Sequence, residues 1–232
     1  VVFVSDHGSD KKGSLIKTRG TEIPCLIRWP KVIKPGSVSR GLLQNTDFVP
    51  TWFELAGAKI PKEYHLDGKS LVPMFKDHAV SIRKYIYAEQ GAARAIKTEA
   101  FEYISIRYTD EQIAAVQGNR ADRAFKTLLG LSGGISRAKD FHPGTFSADQ
   151  LYDLSKDPDS QKNLAADPSY AGQLKKMKAM LTRTIKKLGP RPYGEFVSGQ
   201  GTSDAKSSQE ILDKLSVYHT TENTKRNRTK TR

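Results

Sequence analysis

Two adjacent residues near the start of the chain, Asp6 and His7, have the side chains best suited to chemistry. They follow an apolar run, Val1-Val2-Phe3-Val4, and precede Gly8, whose backbone freedom permits a tight turn. In α/β sheets, ligands and metal ions gather at the carboxyl ends of strands. A carboxylate and an imidazole placed there can both reach one divalent cation if the turn splays them apart. The same dipeptide also suits a capped turn in which Asp6 accepts backbone N–H groups. Lys11 or Lys12 could set an ammonium beside such a cation and neutralise an anionic substrate, although paired loop lysines also read as solvated. Cys25, the single cysteine, sits with Leu26 and Ile27, so it reads as a small buried hydrophobe rather than a nucleophile. His65, His78 and His142 have no ligand spacing to one another and read as surface residues. One cysteine and scattered histidines make no zinc pattern, and no Gly-x-x-x-x-Gly-Lys phosphate loop occurs.

The elements that must position these residues alternate. Residues 1–5 form a continuous β-branched and aromatic run that reads as a fully buried strand. Residues 25–29 make a second strand, stopped by Pro30, and Pro35-Gly36 marks a turn. A helix is predicted over 47–56, with Thr46 or Asp47 as its cap, Pro50 in its first turn and Gly57 beyond its end. Strands alternating with helices imply an α/β sheet. From Lys84 the texture changes to short strands at 85–88, 93–96 and 101–106, the pattern of an antiparallel sheet with a hairpin, and 150–154 adds one more. A further helix is possible over 120–131, before the Gly133-Gly134 break. The longest helix is predicted over 170–188, where Leu174, Met177, Met180, Leu181, Ile185 and Leu188 recur at helical spacing.

The whole chain has 232 residues, with 38 Lys and Arg against 25 Asp and Glu, a formal charge of +13. A 37% hydrophobic share with 9% aromatics supplies a core and excludes wholesale disorder. No apolar stretch reaches the ~18 residues of a spanning helix, and one cysteine excludes an internal disulfide framework. Much of the basic excess lies late, in Lys175, Lys176, Lys178, Arg183, Lys186, Lys187 and Arg191, and again in Lys225, Arg226, Arg228, Lys230 and Arg232. The first group falls mainly opposite the apolar helix face. That reads as a solvated surface; alternatively, the 174–191 helix and the tail together read as a noncatalytic module that binds sulfated polysaccharide or nucleic acid. From about Ser198 the chain is rich in polar residues apart from Ile211, Leu212, Leu215 and Val217, and is expected to be mostly disordered. Val1 opens within a structural element, so the chain reads as part of something longer and the absence of a leader carries no meaning.

Several segments, taken in order, resemble the C-terminal half of a type I sulfatase, of the arylsulfatase-like group in the alkaline phosphatase superfamily. Val1-Val2-Phe3-Val4 leading into Ser5-Asp6-His7-Gly8 resembles the family's strand and metal motif. Gly20-Thr21-Glu22-Ile23-Pro24-Cys25-Leu26-Ile27-Arg28-Trp29-Pro30, followed by Ile33-Lys34-Pro35-Gly36, resembles its Gly-x-Arg-x-Pro-apolar-Arg-Trp-Pro segment. Asp47-Phe48-Val49-Pro50-Thr51, Leu55-Ala56-Gly57 and Leu66-Asp67-Gly68-Lys69-Ser70-Leu71 resemble a family helix and the turn after it. Leu151-Tyr152-Asp153-Leu154, Asp157-Pro158 and Asn163-Leu164 resemble the motif before the family's last helix.

The resemblance implies the C-terminal part of the sulfatase α/β sheet fold, followed by a small antiparallel sheet with a packed C-terminal helix. Residues 1–83 would be the core part with half of the metal site, 84–192 the subdomain, and 193–232 a basic, disordered tail. It implies Asp6 and His7 as ligands of a divalent metal, Ca2+ above all, and Lys12 as the sulfate contact. An ungapped alignment from Pro24 puts Gly13 at that place, so Lys12 requires a one-residue insertion and Lys11 remains open. Glu22 stands where Arg is common, and Lys17-Thr18 where Tyr-Glu is common. The family's formylglycine nucleophile, made from Cys or Ser in Cys/Ser-x-Pro/Ala-x-Arg, is expected in an N-terminal part, because Cys25 is followed by Ile27 and Trp29 at the diagnostic places. The expected activity is hydrolysis of a sulfate ester on a small molecule or glycan, with a phosphonate or phosphodiester hydrolase of the same superfamily as the enzyme alternative. The chain by itself is expected to be inactive. Nucleic acid is not the expected partner, and the expected location is periplasmic, secreted or lysosome-like.

Overall fold

The computed structural model describes residues 1–8, 18–90, 93–108, 146–188, 205–210, 212, 213 and 216. They fall into two units. The first holds Val1–Ser5, Pro24–Ile86 and Lys97–Glu99, and the second holds the remaining described residues. The possible helix at 120–131 lies outside the described residues.

In the first unit the β-branched start of the chain forms β1 (Val2–Val4), which pairs antiparallel with β2 (Cys25–Ile27) in the register Val2 to Ile27, Phe3 to Leu26 and Val4 to Cys25. The Val1 nitrogen donates to the Arg28 carbonyl at 2.9 Å, and the Arg28 N–H donates to the Val1 carbonyl at 2.8 Å, so the ladder extends one step past the strands. The expected burial is not found: the cross-strand partners Phe3 and Leu26 are 59% and 65% exposed. Cross-strand partners share a face of the pleat, and among the described residues this sheet has two strands, which leave both side chains of the pair uncovered.

The core of this unit is the short helix α3 (Val72–Lys76) with Leu71 before it. Leu71, Val72, Met74 and Phe75 are buried, and Ile27, Val32, Ile33, Leu43, Phe48 and Ile82 pack against them. Helix α2 (Phe48–Leu55) ends as its glycine signal predicts, with Gly57 at φ +63°. Its start differs from a simple cap. A 3-10 turn, Asn45–Asp47, leads in, and the fully buried Asp47 carboxylate reaches back to the Gln44 N–H at 2.7 Å. Asp47 also accepts the Lys69 N–H at 2.8 Å and pairs with the Arg83 guanidinium, which in turn donates to Gln44 Oε1 at 2.7 Å. Thr51 Oγ1 donates to the Asp47 carbonyl and accepts the Leu71 N–H at 2.9 Å. The 68–71 segment therefore lies directly on 46–51, and Gly68 is what allows it: a Cβ there would stand 2.0 Å from the Thr46 carbonyl oxygen.

The second unit carries, apart from the strand-end residues Ile86 and Lys97, a four-stranded sheet ordered β3 (Ile86–Gln90), β4 (Ala93–Lys97), β5 (Phe101–Ile106), β6 (Asp149–Asp153). Strands β5 and β6 run antiparallel, with Phe101 opposite Asp153 and Ser105 opposite Asp149. Ile96, Tyr103, Ile104, Leu151 and Tyr152 are buried in it. Helix α4 (Ala171–Leu188) is the predicted long helix; it buries Met177, Leu181 and Thr184 and packs against β5. No described helix is long and apolar enough to cross a membrane. Asp149 joins three elements, accepting from Tyr103 Oη at 2.7 Å, Arg107 at 2.6 Å and Lys178 of α4 at 2.5 Å. Burial pushes its carboxyl up, but these donors outweigh that and hold it below the usual carboxylate range.

Within 193–232 the described residues are 205–210, 212, 213 and 216. Residues 205–210 are helical, and Leu212 is fully buried. Gln209 donates to the Phe146 carbonyl at 2.8 Å and accepts the Ala148 N–H at 2.9 Å, while Ser208 Oγ accepts the Tyr108 N–H at 3.5 Å. A polar composition masks this role, because here Gln and Ser serve backbone groups at the ends of β5 and β6 that the strand ladder leaves unpaired.

Two measurements check these packing claims. Replacing Asp47 with Ala strands a guanidinium whose side chain is 9% exposed, so D47A should lower the unfolding free energy by about 3–5 kcal/mol in urea titration. Substituting the exposed Val49 by Ala should change it by less than about 0.5 kcal/mol. A depressed folded pKa at Asp149 gives stability that is full above the unfolded carboxylate value, about 3.9, and is lost as pH falls through the folded value. The acid limb of the urea midpoint against pH should therefore be steeper in the wild type than in Asp149→Asn.

Candidate metal centre

Val4 closes β1, and after Ser5 the chain bends at Asp6-His7. The bend is held from the next residue. The N–H of Gly8 donates to the carbonyl of Gly20 at 3.0 Å, and Gly20 lies in the single-turn helix α1 (Thr18–Thr21). Both glycines are buried, and the hydrogen bond between them has ordinary backbone length.

His7 Nδ1 lies 2.8 Å from the Gly8 carbonyl oxygen. A carbonyl only accepts, so Nδ1 carries a proton, and in the neutral ring Nε2 is then the nitrogen with the lone pair that a metal-binding imidazole uses. That Nε2 stands 3.7 Å from Asp6 Oδ1, with the Asp6 side chain 83% and the His7 side chain 38% exposed. Two donors at this separation, each 2.3–2.6 Å from a calcium-sized cation, would subtend roughly a right angle at the ion. The pair thus fits neighbouring positions on one divalent cation, with the backbone carbonyl fixing the ring as outer-shell partners of metal-bound histidines do. Among the described residues no third His, Cys, Asp or Glu joins them.

The remaining sequence candidates separate clearly. Lys11 and Lys12, with Gly13 beside them, lie outside the described residues. Cys25 is half-buried in β2, where burial pushes its thiol pKa up and away from nucleophilic use. His65 and His78 are exposed, as expected for surface residues, and His142 lies outside the described residues. The residue that sequence reasoning left without a role is Gly20, and Gly8 reads from the sequence only as a turn residue. Their signal was present in the motifs, since each glycine borders a resemblance segment, but their partnership across 12 residues is a product of folding.

The order of these segments is matched outside this chain. A family model described as N-sulphoglucosamine sulphohydrolase, C-terminal, matches residues 7–114. An ulvan-active sulfatase of Formosa agariphila is 34% identical over 173 residues, covering 73% of this chain and 34% of that protein. The chain belongs to the sulfatase family. An N-acetylglucosamine-6-O-sulfatase of Bacteroides thetaiotaomicron is 27% identical over 188 residues, covering 79% of this chain and 28% of that protein. In fold, this sulfatase chain matches a protein solved with its substrate D-glucosamine-2-N,6-O-disulfate, at a TM-score of 0.52 and 24% identity, over 76% of this chain and 31% of the other. The chain thus spans about a third of the length of the curated relatives it matches.

The tautomer is directly measurable. Long-range proton–nitrogen correlation spectra at pH 8 should show Nδ1 of His7 as the protonated nitrogen, and a His7 ring protonated at Nε2 would remove the lone pair from the face toward Asp6.

Proposed function

We propose that this region serves a metal-dependent sulfatase that hydrolyses a sulfate ester of a sulfated glycan or small molecule, outside the cytoplasm in a periplasmic, secreted or lysosome-like setting. The observation that supports it best is the Asp6–His7 pair: two donors 3.7 Å apart with the imidazole tautomer set by Gly8. The relatives' names support the ester class, one being ulvan-active and the other an N-acetylglucosamine-6-O-sulfatase.

In this reading Asp6 supplies a charged oxygen and His7 a neutral nitrogen to a divalent cation, Ca2+ in the first instance. When bound, such a cation supplies stabilisation of the charge that builds on the sulfuryl oxygens. Lys12 sets an ammonium against the same oxygens, with Lys11 as the alternative donor. The nucleophile is assigned to a formylglycine carried by the N-terminal part of such an enzyme. No Cys/Ser-x-Pro/Ala-x-Arg motif occurs within residues 1–232, and the burial of Cys25 argues against its use.

Accordingly the 232-residue chain alone should give no measurable turnover of a chromogenic aryl sulfate with or without Ca2+. Metal-dependent turnover by it would overturn this assignment. In a full-length enzyme carrying this region, Asp6→Ala should lower kcat/KM by about 100-fold or more, with partial recovery at high Ca2+. Side-by-side sulfate and phosphate ester assays on that enzyme should favour the sulfate.

A further inference from the structure

Helix α4 presents a charge arrangement that neither the fold nor the metal centre uses. Its 18 residues include six Lys or Arg (Lys175, Lys176, Lys178, Arg183, Lys186, Lys187) and no Asp or Glu. Lys178 is committed to Asp149 at 2.5 Å. The other five are exposed, and among the described residues no ion pair to them is found. At 100° per residue Lys175 and Lys186 fall within about 20° of one line, and Lys176, Arg183 and Lys187 lie on a second line about 100° round. Lys175 and Lys186 are separated along the axis by about 16 Å at 1.5 Å per residue. A buried face of Met177, Leu181 and Thr184 holds the opposite side, so the cations are fixed as an array on a rigid rod rather than scattered on a loop.

Such a band has a definite electrostatic partner. Isolated surface cations are cheap to solvate and gain little from single counterions. A linear polyanion that spans several of them releases its own condensed counterions at each contact, and the gains add along the rod. A sulfated polysaccharide is a flexible chain with fixed, repeating negative charge, and the exposed band offers it no competing carboxylate. At the start of the band, a shallow groove lined by Ala165, Pro168, Leu174 and Lys175 gives apolar surface for a sugar ring beside the first cation. Asp167, which also borders that groove, has its carboxylate engaged by the N–H and hydroxyl of Ser169.

We propose that the exposed face of α4 is a docking surface for the chain of a sulfated polysaccharide, separate in role from the metal centre. The inference shares its substrate class with the sulfatase reading, but its test reads binding and not turnover, so either can fail without the other. The experiment is fluorescence anisotropy of the intact 232-residue chain with a labelled heparin octasaccharide, from about 50 to 300 mM salt, alongside fully desulfated octasaccharide and a DNA duplex of matched charge. Binding should weaken steeply with salt, be lost on desulfation, and exceed binding to DNA.

The variant Lys175→Gln, Lys176→Gln, Arg183→Gln, Lys186→Gln, Lys187→Gln keeps helix propensity and should lose about tenfold or more in affinity with a shallower salt slope. The pair Lys175→Gln, Lys186→Gln should lose part of this and gives the answer if the fivefold variant unfolds. Neutralising Lys225, Arg226, Arg228, Lys230 and Arg232 should leave affinity within about threefold. Unchanged affinity in the helix variants, loss confined to the tail variant, or DNA binding as tight as heparin would overturn the proposal.

Discussion

The first unit depends on one buried carboxylate. Asp47 is fully buried, and a charge in that position is tolerable only with its lone pairs occupied and a counter-charge in contact. The surroundings meet both conditions, with N–H groups from Gln44 and Lys69 and the guanidinium of Arg83. These partners come from three separate stretches of chain, so the ion pair selects one arrangement of them. Thr51 and the Cβ-free Gly68 then set α2 and the 68–71 segment in contact, and the apolar cluster around Phe75 forms beneath. Burying such a pair adds little net stability. Its consequence is specificity, since other packings would leave a charge uncompensated.

The second unit repeats the device in milder form. Asp149 stands where β6 begins and receives donors from β5, from just beyond β5 and from α4. Sheet and helix are thereby tied at a point where the strand ladder alone would not reach the helix. Gln209 and Ser208 act on the same end of the sheet by a neutral route, satisfying backbone groups next to β5 and β6 with side-chain amide and hydroxyl. Leu212 contributes the apolar contact that keeps this short helical stretch in place.

At the proposed metal centre the chemistry is local and the positioning is not. Two adjacent side chains would supply the donors, and the neighbouring carbonyl accepts from His7 Nδ1, all within three consecutive residues. What directs the pair is the Gly8–Gly20 contact, which ties the bend to α1. The lysine-rich face of α4 belongs to a different level of organisation. It is a surface property that arises because one side of the helix is claimed by the core and the other is left to charge.

Local chemistry was legible in the residue order. The glycine that ends α2, the strands of the second unit, the extent of α4 and the donor character of Asp6 and His7 all follow from propensity, periodicity and side-chain type, which act over a few neighbours. Burial was not. The apolar run of β1 reads as an interior strand, yet Phe3 and Leu26 are exposed, because burial depends on how many strands and layers cover a face. Asp47 reads as a cap and is a buried charge, and the polar stretch around Gln209 reads as disordered and is docked. In each case the deciding partner lies far along the chain: Arg83 for Asp47, Phe146 and Ala148 for Gln209, Gly20 for Gly8. Residue types fix which groups can donate, accept or ligate. Which of them meet is set by the folded chain, since long-range contacts form from the collective burial of segments and leave no local pattern at either partner.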